Sequence, residues 1–193
     1  MQEGVETQMA GSVRRVVTGH TKDGEAVVVM DDQIETKTRT AGVSSCVLWV
    51  TEETPADISR NEDTKDKATG VPPPVNGSIL RIVDFPPVSG EIKVDNKAFT
   101  AEMGIGEQNR GGGKHVNHPF MHRTKSIDYA IVLEGEIDML LDDTEVHMRA
   151  GDCMVQQGTN HAWVNNSGKN CRIAFVLIGA NEPEVLKGRG GGH

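Results

Sequence analysis

Between residues 118 and 165 the chain gathers groups that can move protons or hold a cation: His118, His122, Asp128 and His161. Asp128 opens an apolar run, Tyr129-Ala130-Ile131-Val132-Leu133, and a carboxylate is costly to bury there unless a metal, a histidine or a hydrogen bond compensates it. Among imidazoles it is either a metal ligand or a general base with a tuned pKa. A plainer role, capping the turn before the strand, is open as well. Residues of like parity in a strand share a face, so a strand over 118–124 points His118, Phe120, His122 and Thr124 together. His161, Trp163 and Asn165 form a second such set. Phe120 and Trp163 are expected to line an apolar pocket for a flat ligand, with ordinary core packing as the alternative. Thr124 and Tyr129 join them as candidate substrate contacts, and Trp49 is a candidate to close the pocket from the N-terminal side.

These groups need a frame of short strands. The β-branched runs at 14–20 and 25–32 flank Lys22-Asp23-Gly24 and predict a hairpin. Further strands are expected at 46–51, 78–85, 118–124, 128–134, 136–141, 144–149, 152–157, 161–165 and 171–179. Asp142-Asp143, Gly151, Gly158 and Ser167-Gly168 supply the turns. Residues 52–77 are charged, then proline-rich, and predict a long surface loop. Phe99–Met103 reads as a strand or one helical turn. Gly111-Gly112-Gly113 lacks the strand-to-helix setting and the Lys-Ser/Thr pair of a phosphate loop. Regular short strands without helical apolar periodicity predict an all-β sandwich or barrel.

Composition narrows the functional classes. The 193 residues suit one domain with a core of its own. A net charge of −8 argues against nucleic acid and against an anionic membrane surface. The longest apolar run, Ala174 to Ala180, falls far below the roughly 18 residues of a membrane span. The first twelve residues lack a hydrophobic signal-type segment. Cys46, Cys153 and Cys171 fit neither a zinc site nor a disulfide framework, and each lies beside aliphatic residues, which predicts buried thiols in a reducing cytoplasm.

The spacing resembles the two signature motifs of the cupin superfamily. The first, His-x-His, three or four residues, Glu, six residues, Gly, reads here His122, Arg123, Thr124, three residues, Asp128, six residues, Gly135. The second reads Gly151, six residues, Gly158, two residues, His161, three residues, Asn165, and fifteen residues separate Gly135 from Gly151. Thr124 and Asp128 replace a histidine and a glutamate. Val116 stands where a glycine would precede the first histidine. Gln156-Gln157 replace a proline, one residue short of the usual spacing.

The resemblance implies a cupin-type jelly-roll β-barrel with extra N-terminal strands. It implies N-terminal strands and a lid over 13–114 and a cupin core over 115–182, while polar composition predicts a flexible tail over 1–12 and a disordered tail over 183–193. It also implies that His122, Asp128 and His161 converge in the barrel mouth. That set suits a divalent Fe, Mn, Zn or Ni ion with open positions for substrate. His118 then substitutes for the missing ligand or bonds the substrate. Without metal, the same groups run acid–base chemistry. Small single-cupin proteins of secondary-metabolite pathways, often described as cupin-domain oxidoreductases, show a similar pairing of motifs. The expected function is oxidoreductase or lyase chemistry on a small, aromatic or polyketide-derived substrate, in a homodimer. A non-catalytic binding protein is the second hypothesis.

Overall fold

The computed structural model describes residues 11–39, 42–59, 61–67, 69–90, 96–105 and 113–186. The tails expected over 1–12 and 183–193 lie outside these residues, apart from 11–12 and from 183–186, where Glu184–Leu186 form one 3-10 turn.

The hairpin forms from β1 (Ser12–His20) and β2 (Ala26–Glu35), with Gly24 at φ 83° in its turn. The chain continues through β3 (Lys37–Thr38), β4 (Ser44–Thr51), β5 (Ser78–Phe85) and a helix, α1 (Asn96–Met103). It then lays down β6 (Ser126–Glu134), β7 (Glu136–Leu140), β8 (Glu145–Arg149), β9 (Cys153–Gln157), β10 (Ala162–Val164) and β11 (Cys171–Gly179). Two sheets carry the jelly roll, six strands in the order β3-β4-β5-β11-β6-β9 and three in the order β10-β7-β8. All pairs are antiparallel.

The core lies between these sheets. Ile79 of β5, Val132 of β6, Ile137 of β7 and Ile173 of β11 are at most 1% exposed and share one cluster with Met139, Trp163 and Phe175. Each such aliphatic side chain contributes about 1.5–3 kcal/mol relative to exposure. On the outer face the hairpin covers one end of the large sheet, with Val13 and Ile34 against Cys46, Leu48, Ile82 and Ala174. Arg15 secures it there, pairing with Asp32 and with Asp63 of the 52–77 loop and donating to the Leu48 carbonyl at 3.1 Å.

The turns explain the motif glycines. Gly135 has φ 76°, and a Cβ there would lie 2.5 Å from the Asn170 carbonyl oxygen. Asn165 is buried behind the site. Its amide donates to the carbonyls of Phe85 (2.7 Å) and Lys169 (2.8 Å), while its oxygen accepts from the Ser167 amide and hydroxyl.

Two expectations are corrected, and one open alternative is decided in favour of helix. Residues 118–124 are not a strand. Pro119 removes a donor, and the amides of His118 and Met121 close successive turns onto His115 and His118. Only His122 makes a β-bridge, to His161. Phe99–Met103 belongs to the helix, which ends at Gly104 (φ 65°) with Ile105 bonding back to Thr100, a glycine C-cap. Cys46 and Cys171 are buried as thiols, but Cys153 is exposed because it takes the outward parity of edge strand β9.

Close backbone contact ties α1 to the large sheet. The Val71 amide donates to the Met103 carbonyl at 2.7 Å, and a Cβ on Gly70 would fall 2.6 Å from that same oxygen. On its other side the Gly70 carbonyl accepts from Arg81 Nη2 at 2.6 Å. Among the described residues no helix is long and apolar enough to cross a membrane.

Candidate active site

A cavity of about 160 Å³ opens between the inner face of the large sheet, the 118–122 turns and α1. Apolar side chains dominate its wall, among them Phe85, Phe99, Phe120, Trp163 and Phe175. The polar groups in that wall include His122, His161, Asp128 and Arg81.

The two histidines sit side by side because their backbones do. His122 and His161 exchange both N–H···O bonds at 2.9 Å, which turns the side chains to the same face and leaves the ring centroids 4.3 Å apart. Each ring is held through Nδ1. A backbone carbonyl can only accept, so Nδ1 of His122 donates to Phe120 O at 2.8 Å and Nδ1 of His161 to Thr159 O at 3.0 Å. In the neutral form, each ring therefore carries its lone pair on Nε2. Gln156, which replaces the motif proline, is buried with its amide 3.1 Å from His161 Nδ1 and 3.2 Å from Thr159 O. Burial pushes His161 down to about 3, helped by His122, so this ring stays neutral throughout the physiological range.

Asp128 lies on β6, opposite Gln156 of β9 and Leu177 of β11. It is 3% exposed, and its Oδ1 has no hydrogen-bond partner. Burial raises its pKa to about 6, while a hydrogen bond from Ser126 and the charge of Arg81 pull the other way. The buried Thr124 hydroxyl lies 2.7 Å from that of Ser126. Either hydroxyl can donate in that contact. The residue that replaces the motif histidine thus packs its hydroxyl against Ser126, two residues before Asp128.

Arg81 went unnoticed in the sequence. It sits in the apolar run SILRIVDF with the inward parity of Ile79 and Val83, and a cation on the inner face of a strand was the available signal. Its Nε is buried without a hydrogen-bond partner. Burial lowers its pKa to about 10, Arg39 pushes the same way, and Asp128 opposes them.

The expected residues divide. His122, Asp128, His161, Phe120 and Trp163 share the cavity wall. His118 does not line it and stacks edge-on against Phe120 at 5.6 Å between centroids. Thr124 stands behind the wall, as described. Tyr129 alternates with Asp128 to the outer face and is 41% exposed. Trp49 lines a separate, acidic recess of about 70 Å³ on the far side of β4 from the inward set, with Glu52, Glu53 and Asp57. The expected metal set is not assembled either. Among the described residues no three His, Cys, Asp or Glu side chains come close enough to hold an ion. The imidazoles supply two donors, and Asp128 interacts instead with Ser126 and Arg81.

Comparison with known proteins agrees with this architecture. Residues 109–178 match the cupin domain model, a span that includes both histidines and Asp128. The cupin-domain-containing oxidoreductase srdD of Neurospora crassa is 32% identical over 197 residues, covering 95% of this chain and 85% of the relative. The cupin-domain-containing oxidoreductase fogC of Aspergillus ruber is 31% identical over 90% of this chain and 75% of its own length. Phomopsin biosynthesis cluster protein C' of Diaporthe leptostromiformis is 34% identical over 72% of this chain and 62% of its own. With the jelly roll, the paired motifs and nearly full-length similarity to srdD together, the chain belongs to the cupin-domain family.

Proposed function

We propose that this protein is an enzyme of secondary metabolism that transfers a proton on a small oxygen-bearing organic substrate held in the barrel cavity. The observation that carries the reading is Asp128, a carboxyl group buried in the wall of an otherwise largely aromatic cavity, with a pKa of about 6 and an unpartnered oxygen. A carboxylate poised near neutrality is suited to act as a general base. In the proposed step it takes a proton from carbon next to a carbonyl. The C–H electron pair moves into the new C=C bond, and the carbonyl π electrons move onto oxygen. Arg81 meets the resulting oxyanion charge. His122 and His161 accept hydrogen bonds from substrate hydroxyls through Nε2. Return of the proton elsewhere, or departure of a leaving group, completes an isomerisation or elimination with no external oxidant. The names of the relatives support oxidoreductase-type chemistry, and an enolate is also the electron-rich form that an oxidation would consume.

The test is hydrogen exchange with solvent. The protein is incubated in D2O with single-ring ketones and enolisable acids, and loss of the C–H signal is followed by NMR. The wild type is expected to exchange at least one of them, and Asp128→Asn, with an unchanged fold, to lose that exchange. Exchange that survives Asp128→Asn would assign the base to another group, and binding without exchange across the series would leave a non-catalytic binding protein as the better reading.

A further inference from the structure

Two guanidinium groups line the cavity; Arg39 has Glu102 as a long-range partner, and Arg81 has no ion pair among the described residues. Arg81 rises from the floor formed by β5. Its Nη2 is spent on the Gly70 carbonyl, its Nε is buried without a hydrogen-bond partner, and among the described residues it makes no ion pair. Arg39 stands at the rim with its side chain 43% exposed. Its Nε donates to Ser45 at 3.2 Å, and its Nη1 reaches only to 4.0 Å from Glu102. Two like charges facing one small cavity repel, and the low dielectric of an aromatic wall amplifies that repulsion. A buried cation is stable when an anion shares its site. The wall supplies two carboxylates, Glu102 at the rim beside Arg39 and Asp128 on β6, and neither forms an ion pair with Arg81 among the described residues.

The size of the cavity restricts which anion can reach Arg81. An engineered apolar cavity of about 150 Å³ holds a benzene ring, and this one measures about 160 Å³. Phe85, Phe99, Phe120, Trp163 and Phe175 offer ring faces and edges to a flat partner. Carboxylate and guanidinium are geometrically matched, because two parallel N–H groups meet two oxygens in one plane.

We propose that the cavity is built for a single-ring carboxylic acid, its carboxylate directed to Arg81 and Arg39 and its ring held among the aromatic side chains. This narrows the substrate class of the function proposed above and rests on the same cavity. The acid is bound as its anion, so charge, not only shape, separates ligand from non-ligand. Salt weakens the contact at Arg39 more than at Arg81, since the rim is solvated and the floor is not.

The experiment is calorimetric titration with benzoate, isosteric neutral benzamide and acetate. Benzoate is expected to bind at least ten-fold more tightly than benzamide at low salt, and acetate not measurably at millimolar concentration. Arg39→Gln, at a partly exposed position, leaves the fold in place. It is expected to weaken benzoate about ten-fold and benzamide less than two-fold. Arg81→Lys keeps the charge and loses the fork, and its thermal melt reports whether the Gly70 contact survives. The proposal is overturned by benzamide binding as well as benzoate, by Arg39→Gln leaving their ratio unchanged, or by neither ring compound binding to protein that melts normally. If benzamide binds and benzoate does not, the acid is excluded while solvent exchange at Asp128 still stands or falls by its own test. Benzoate binding with no exchange on any substrate has the opposite meaning.

Discussion

Asp128 and Asp138 sit on consecutive strands, and their surroundings drive them in opposite directions. Asp138 is 26% exposed on β7, with His147 Nδ1 at 2.7 Å and the Asn166 amide at 3.0 Å. Partial burial would raise its pKa, but the hydrogen bonds from His147 and Asn166 outweigh that and hold it below the ordinary value. Asp128 is the buried one, and its single stabilising hydroxyl and the charge of Arg81 do not offset its desolvation. A carboxylate beside a histidine is thus the settled, surface arrangement here, and a carboxylate lacking such a partner is the one whose proton is held into the neutral range. The conspicuous Asp–His pair is the less informative feature.

The comparison breaks first at activity. Asp128→Asn is expected to lower turnover or solvent exchange by about 10²–10⁴-fold, the usual worth of a positioned base. Asp138→Asn should leave it within two-fold. The acid limb of the wild-type pH–rate profile is expected near pH 6, because the base must be ionised. His161, neutral down to about pH 3, should add no limb between pH 5 and 8. An acid limb that persists unshifted in an active Asp128→Asn variant would assign it to another group.

Stability sharpens the same contrast. The folded pKa of Asp128, about 6, lies above the ordinary 3.8, so the native state binds the extra proton between those values. Stability from this group is therefore complete below pH 4 and lost as pH rises through 6. At 1.36 kcal/mol per pKa unit the loss is about 3 kcal/mol. Denaturant unfolding should show Asp128→Asn improving relative to wild type by roughly that amount between pH 4 and pH 8. Asp138 has the reverse sign, with stability lost as pH falls through its depressed pKa. The smallest effect is expected for His147→Ala, within about 1 kcal/mol in the same unfolding measurement and silent in the exchange assay, since the pair is solvated.

What the sequence reveals and what it hides follow from geometry. The strands from Ser126 onward are legible because their apolar alternation and positive-φ glycines are local signals. Gly135 marks a turn that its neighbours enforce. His122 and His161 are legible as a pair because motif spacing encodes the bridge that joins them. The partner of Asp128 is not legible, because Arg81 arrives from a strand 47 residues earlier through the β5-β11-β6 order of the sheet. Parity also misleads where the backbone is not extended. His118 and Thr124 were aligned with His122 by a strand that Pro119 prevents, and each ends up off the cavity wall. Thr124→His would therefore restore no ligand. It would force an imidazole into a site that is 2% exposed and already filled by the contact with Ser126.

The Gly70 carbonyl deserves to be followed outward. One neighbour, Arg81, belongs to the cavity floor, and the other, through Val71 and Met103, is the end of α1, whose Phe99 forms part of the aromatic wall. Floor charge and wall are consequently one linkage. A methyl group added at Gly70 meets the helix backbone at 2.6 Å, and the strain reaches the guanidinium through the same carbonyl. Amide hydrogen exchange would register this as a shared loss of protection at Val71 and along α1, so a lesion at a glycine outside the motifs would be recorded as a defect in selectivity.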